Sequence, residues 1–126
     1  MLFRALLSVF VVSLLLQACV NNKRDQLFPT IGNCDTSGIT YSGYIKQVTA
    51  TKCALSGCHN AATASGGVVL ETYAGVKDAT SGGRLIGAIT HSTGFTPMPE
   101  PLGSPQLDAC TIAKISKWVA DGALNN

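Results

Sequence analysis

Cys53-Ala54-Leu55-Ser56-Gly57-Cys58-His59 governs how the rest of this chain reads. Two thiols end in a Cys-His pair, and that is the chemistry of covalent haem attachment. Each thiol can add across one porphyrin vinyl group, and the adjacent histidine then meets the iron from the same side. Attachment motifs of this kind separate the cysteines by two residues; here four residues separate them. The wider spacing passes the decision to the remainder of the sequence.

Compartment comes first, because thioether attachment to haem takes place outside the cytoplasm. Arg4 supplies a short positive start and Ala5 to Leu16 an apolar run, followed by the small-residue site Leu16-Gln17-Ala18-Cys19. The run is shorter than the roughly 20 residues a bilayer span needs. Leu16-Gln17-Ala18-Cys19 resembles the lipobox of bacterial lipoproteins. That resemblance implies that residues 1–18 are a signal peptide, that Cys19 becomes the lipid-bearing N-terminus, and that no transmembrane helix remains. The alternative is an ordinary secretory signal with a coincidental Cys19. Either way the mature chain is exported; with the lipid it is anchored to a bacterial membrane, on the periplasmic or cell-surface side.

Cleavage leaves one small domain. Removing Arg4 leaves eight Lys and Arg against seven Asp and Glu, close to neutrality. No basic stripe is present, so nucleic acid is not an expected partner. A domain of this size, rich in Gly, Ala, Ser and Thr and poor in large aromatics, buries a modest fraction of its surface. A bound macrocycle would supply the missing apolar filling.

With Cys19 set aside, Cys34, Cys53, Cys58 and Cys110 permit three disulfide connectivities. If haem takes Cys53 and Cys58, then Cys34 and Cys110 are left to pair in an oxidising compartment. The alternative joins Cys53 to Cys58 and assigns no cofactor, which leaves the position of His59 unexplained.

The secondary structure reads as all-α. Residues 19–40 form a polar tether with Asn21, Asn22, Lys23, Arg24 and Asp25, followed by a domain over 41–126. Ser42 is the expected cap of a first helix reaching about Lys52, with Tyr44 or Ile45, Val48 and Thr51 or Lys52 at helical spacing. Thr72 caps a second through Val76 to Asp78, and Arg84 to Thr90 forms a third. Asp108 caps the last, with Leu107 and Ile112 as a hydrophobic staple. Ile112, Ile115 and Val119 follow at spacing three and four beside Trp118, and Gly122 is the expected terminator.

Between the last two helices lies a proline-rich loop centred on Pro97-Met98-Pro99. Met98 is the only methionine left after cleavage. The flanking prolines fix their own dihedrals and bias Met98 away from helical geometry. A rigid loop presenting one thioether suits an axial iron ligand, and sulfur opposite imidazole raises the reduction potential. The alternative role for Met98 is filling an apolar gap. His91, the only other histidine, competes for the same axial position, or serves a helix C-terminus. Arg84 reads as an exposed structural residue, with a haem propionate as its alternative partner.

Cys58-His59-Asn60, Ala64-Ser65-Gly66-Gly67, Thr72-Tyr73-Ala74-Gly75-Val76, Gly87-Ala88-Ile89, Pro97-Met98-Pro99 and Ile115 to Ala123 occur in that order. Together they resemble the small monohaem c-type cytochrome domain of exported bacterial lipoproteins, over nearly all of residues 41–126. The resemblance implies a helical domain wrapped around one covalent haem c. It assigns thioethers to Cys53 and Cys58, the proximal ligand to His59 and the distal ligand to Met98. The wider cysteine spacing is its one departure, and it bears on Cys53 more than on Cys58.

The expected function is electron transfer, not enzymatic catalysis: iron cycles between ferric and ferrous with both axial positions filled, and partner redox proteins exchange the electron. Asp and Glu are few and scattered, and no acid–base pair or nucleophile constellation stands out. Two alternatives are a ligand-sensing or peroxidatic haem protein with an open distal site, and a non-haem disulfide or metal-binding module.

Overall fold

The computed structural model describes residues 34–100 and 103–126, all within the compact unit Ile31–Asn126. The signal segment, Cys19 and residues 19–33 of the expected tether lie outside the described residues. Helices joined by turns make up the described chain, with no strand among the described residues. No helix among them is long and apolar enough to cross a membrane.

The first helical segment begins at Thr40, whose backbone is extended (φ −114°, ψ 159°). Its Oγ1 accepts the Gly43 N–H at 3.0 Å. The opening turn, Tyr41–Ile45, is π-helical, with the Lys46 N–H reaching back to the Tyr41 carbonyl. It runs directly into α1, Lys46–Lys52. The cap expected at Ser42 therefore lies two residues earlier. The Ser42 N–H is taken by the Asn126 carbonyl at 2.9 Å, and the Tyr41 N–H by Asn126 Oδ1 at 2.9 Å. The inward face shifts with the cap. Tyr41, Ile45 and Thr49, four apart, are buried, while Tyr44 and Val48 are half-buried and Thr51 and Lys52 exposed.

Thr72 caps α2, Tyr73–Ala79, as expected, accepting the Gly75 N–H at 3.2 Å. A 3₁₀ turn, Ser81–Gly83, leads into α3, Arg84–Ile89. The final helix, α4, spans Ala109–Ala120; Asp108 Oδ1 accepts the Thr111 N–H at 2.9 Å. Ile112, Ile115 and Trp118 face inward. Trp118 takes the core position expected for Val119, which is half-buried.

Gly122 stops α4 at φ +99°, a conformation that costs a side-chain-bearing residue more. The Ala123 N–H returns to the Trp118 carbonyl at 2.9 Å and the Gly122 N–H to Val119 at 3.1 Å. This paired closure satisfies carbonyls the helix end would leave free. It also sends the chain back across the fold. Trp118 Nε1–H donates to the Leu124 carbonyl at 3.0 Å, and the Tyr73 hydroxyl to Ala123 at 2.9 Å. Trp118 is only 1% exposed. Its ring lies 6.1 Å from that of Tyr41, which meets Tyr73 edge-on at 5.1 Å. Leu70, Val76, Leu85, Ile89, Ile112 and Ile115 complete the core around them.

Cys34 and Cys110 form a disulfide, with Cα atoms 5.5 Å apart and 76 residues apart in sequence. Cys34, which lies within the expected tether, is thereby tied to the first turn of α4. Cys53 and Cys58 are free thiols.

Phe95 packs against α3 where Gly87 leaves room: a Cβ at Gly87 would run into the Phe95 ring. Alanine is favoured over glycine inside a helix by about 1 kcal/mol, whereas overpacking costs about 1–3 kcal/mol. Gly87→Ala should therefore lower the denaturation midpoint despite its helix propensity. In a Phe95→Ala background the same change should lose its penalty, which a double-mutant cycle by chemical denaturation reads directly.

Candidate functional site

The end of α1 delivers the first cysteine. Cys53 is its C-cap, and both its N–H and that of Ala54 donate to the Thr49 carbonyl, at 3.0 and 2.8 Å. The chain then turns at once: the Cys58 N–H meets the Leu55 carbonyl at 2.9 Å, and the His59 N–H closes on the Cys53 carbonyl at 3.1 Å. The expected cysteine–histidine motif is thus one hydrogen-bonded loop at a helix end. Cys58 is exposed and Cys53 half-buried. Burial pushes the Cys53 thiol up to about 11, and the charge of nearby Cys58 adds to the shift. Cys53 is therefore a neutral thiol at neutral pH.

His59 is anchored three ways. Beyond its N–H bond to Cys53, its carbonyl accepts the N–H of the buried Leu70 at 2.8 Å. Its Nδ1 lies 3.2 Å from the Val68 carbonyl. A carbonyl oxygen can only accept, so Nδ1 carries the proton of that bond and, in the neutral ring, Nε2 is the nitrogen with the lone pair. Around this loop, Ser65 N–H bonds to the Cys58 carbonyl at 3.0 Å. The Ala61 N–H bonds to Glu71 Oε2 at 2.7 Å. The connection from His59 to Leu70 is held by its own bonds.

Met98 sits on a second loop beyond α3. Its N–H donates to the Ala88 carbonyl at 3.0 Å, and its own carbonyl accepts from His91 Nε2 at 3.0 Å. Met98 and His91 are both half-buried. No hydrogen bond among the described residues joins the Met98 loop to the Cys53–His59 loop; each is positioned separately. Arg84 pairs with Asp78 Oδ2 at 2.8 Å, with both side chains largely exposed, so it takes the structural role. An exposed pair of this kind adds little stability.

A groove of about 260 Å³ lies between the first helix and the start of α4, lined by Tyr44, Val48, Thr51, Leu107, Asp108 and Thr111, among others. It shares no residue with either loop. Among the described residues no three His, Cys, Asp or Glu side chains gather to hold a metal. A pair of one histidine and one methionine falls outside that count, since a thioether is not one of those residue types. What the sequence did not reveal is the set of backbone carbonyls, of Val68, Ala88 and Met98, that orient the two histidines and the methionine. Carbonyls belong to every residue, so no residue type marks them.

A thiol reacts as its thiolate. With Cys53 at about 11, about one molecule in a thousand is ionised there at pH 8. In protein whose two thiols are free, iodoacetamide should label exposed Cys58 rapidly. Cys53 should label slowly, about tenfold faster per pH unit from 8 to 10. Peptide mapping by mass spectrometry reads both, and equal rates at pH 8 would contradict the burial of Cys53.

Compared with known protein families, with curated proteins and with solved structures, the chain matches none.

Proposed function

We propose that this chain is an exported, lipid-anchored monohaem electron carrier, with Cys58 and Cys53 binding the porphyrin, His59 and Met98 the axial ligands, and Cys19 the lipid. The observation that carries the reading is the His59 ring. Its Nδ1 is bound to the Val68 carbonyl at 3.2 Å, which leaves Nε2 as the nitrogen free to bind a metal from the neutral ring. An imidazole that binds metal ordinarily spends its other nitrogen on such an acceptor, which fixes the tautomer and raises ligand basicity.

The donor set suits a haem. Two free thiols flank the turn that ends in His59, while the other two described cysteines are already joined to each other. Met98 offers a soft sulfur on a loop whose backbone is held at both its N–H and its carbonyl. Bound haem would supply the iron that cycles between ferric and ferrous. The protein's part is orientation. The closed Cys53–His59 loop keeps thiols and imidazole together, and Leu70 ties that loop to the core. The Ala88 and His91 contacts hold the Met98 backbone still.

In protein matured by a host with haem-attachment machinery, Met98→Ala should abolish the weak long-wavelength charge-transfer band of methionine-bound ferric haem. Its reduction potential should fall while haem stays attached. An unchanged spectrum would remove Met98 from the ligand set. A colourless product whose mass is peptide plus acyl chains would end the haem reading altogether.

The two thiols should differ. Cys58→Ser breaks the attachment next to His59 and should abolish covalent haem. Cys53→Ser should leave one thioether. Intact mass after acid–acetone extraction separates these outcomes, and full attachment in the Cys58 variant would refute the assignment.

A further inference from the structure

His91 occupies backbone space that L-residues rarely enter, at φ +53°. Its side chain is half-buried, and its Nε2–H donates to the Met98 carbonyl at 3.0 Å. The backbone converges on the same place: the N–H groups of His91 and Met98 both bond to the Ala88 carbonyl, at 3.2 and 3.0 Å. Thr90 fixes the approach, its Oγ1 on the Ile86 carbonyl at 2.7 Å and its own carbonyl accepting Gln106 Nε2 at 2.7 Å. A non-glycine residue persists in left-handed space when surrounding contacts over-determine it, and such strain gathers at sites that must hold a shape.

We propose that His91 is a positioning residue: its ring clamps the Met98 peptide so that the thioether is presented as an iron ligand, and it does not itself bind iron. Because Nε2 carries the proton given to Met98, the nitrogen with a lone pair in the neutral ring is Nδ1, the one nearer the His91 backbone. Binding iron through Nε2 would require breaking the clamp. With both the Met98 N–H and carbonyl engaged, few backbone freedoms remain, and preorganisation of this kind strengthens a ligand bond by lowering the entropy lost in forming it. His91 has this role only if Met98 is the distal ligand, so the two residues are varied together.

The test uses the full chain, matured with haem. His91→Gly removes the ring while relieving the positive-φ strain, since glycine accepts that conformation freely; the fold should survive, as thermal denaturation would show. The charge-transfer band should weaken and the potential should fall. Imidazole added to the ferric protein competes with the Met98 sulfur, and its affinity should rise about fivefold, the size one net hydrogen bond commands. His91→Gln returns an amide donor and should recover most of the wild-type band and imidazole affinity. A purely structural role would change the melting temperature and leave these ligation readouts alone.

Wild-type band and imidazole affinity in His91→Gly, with the band lost in Met98→Ala, would overturn the clamp and leave the Met98 ligand intact. Equal weakening in His91→Gly and His91→Gln would also overturn it, by assigning the effect to ring shape and not to the donor. Loss of all low-spin character in His91→Gly would make His91 the ligand itself. If the Met98→Ala band is unchanged, the ligand assignment fails first and the clamp with it.

Discussion

The indole of Trp118 is the constraint from which the other contacts take their positions. Its burial joins the last helix to the first through Tyr41 and, through Tyr41, to Tyr73 at the start of α2. A buried aromatic covers 150–250 Å², worth several kcal/mol at about 25 cal/mol per Å². A single hydrogen bond contributes about 1 kcal/mol net. Area therefore sets the strength and hydrogen bonds set the direction. The Nε1–H bond to Leu124 turns the tail back over the ring, and the tail then satisfies the first N–H groups of the opening helix through Asn126. What hangs from this frame includes α1, which ends at Cys53, and Leu70, whose N–H holds His59.

The chain has two histidines, and both give a ring N–H to a backbone carbonyl. They use opposite nitrogens. His59 spends Nδ1 on Val68 and keeps Nε2, the nitrogen at the ring tip. His91 spends Nε2 on Met98 and keeps Nδ1, beside its own backbone. A ligand bound from outside reaches the tip more easily than the crowded inner nitrogen. The tautomers alone thus divide the two residues into one suited to bind and one suited to hold. This is the physical ground for ranking Met98 above His91 as the partner of His59 in the proposed carrier.

Where the sequence could be read, the controlling contacts were local. Thr72 and Asp108 cap their helices by accepting an N–H three residues ahead, and Gly122 ends α4 through bonds within five residues. Thr40 escaped notice because Ser42, the more obvious cap, is committed to a residue at the far end of the chain; Tyr41 and Asn126 are 85 positions apart. Val119 gave way to Trp118 for a similar reason, since tail return and the two tyrosines decide which side of α4 faces inward. The Cys34–Cys110 bond was legible only by subtraction, after the three other cysteines had been set aside. The residue types of the candidate site were visible at once; the carbonyls that aim them were not.

The four-residue gap between the cysteines looks like the weakest part of the motif until its backbone is followed. Residues 55–58 fold into a turn, Cys58 N–H to Leu55 carbonyl at 2.9 Å, and the loop closes where His59 N–H reaches Cys53 carbonyl at 3.1 Å. Extra residues in a closed loop need not lengthen the distance across its neck. Loop-closure entropy rises only with the logarithm of length, so two added residues cost a few tenths of a kcal/mol, less than either hydrogen bond contributes. The hydrogen-bonded neck, not the number of residues between the cysteines, thus sets how the two ends of the motif are held. What distinguishes the thiols is access: Cys58 faces solvent and Cys53 is partly covered at the helix end. In the proposed carrier, Cys58 is therefore the thiol open to a cofactor and Cys53 the one the protein shields.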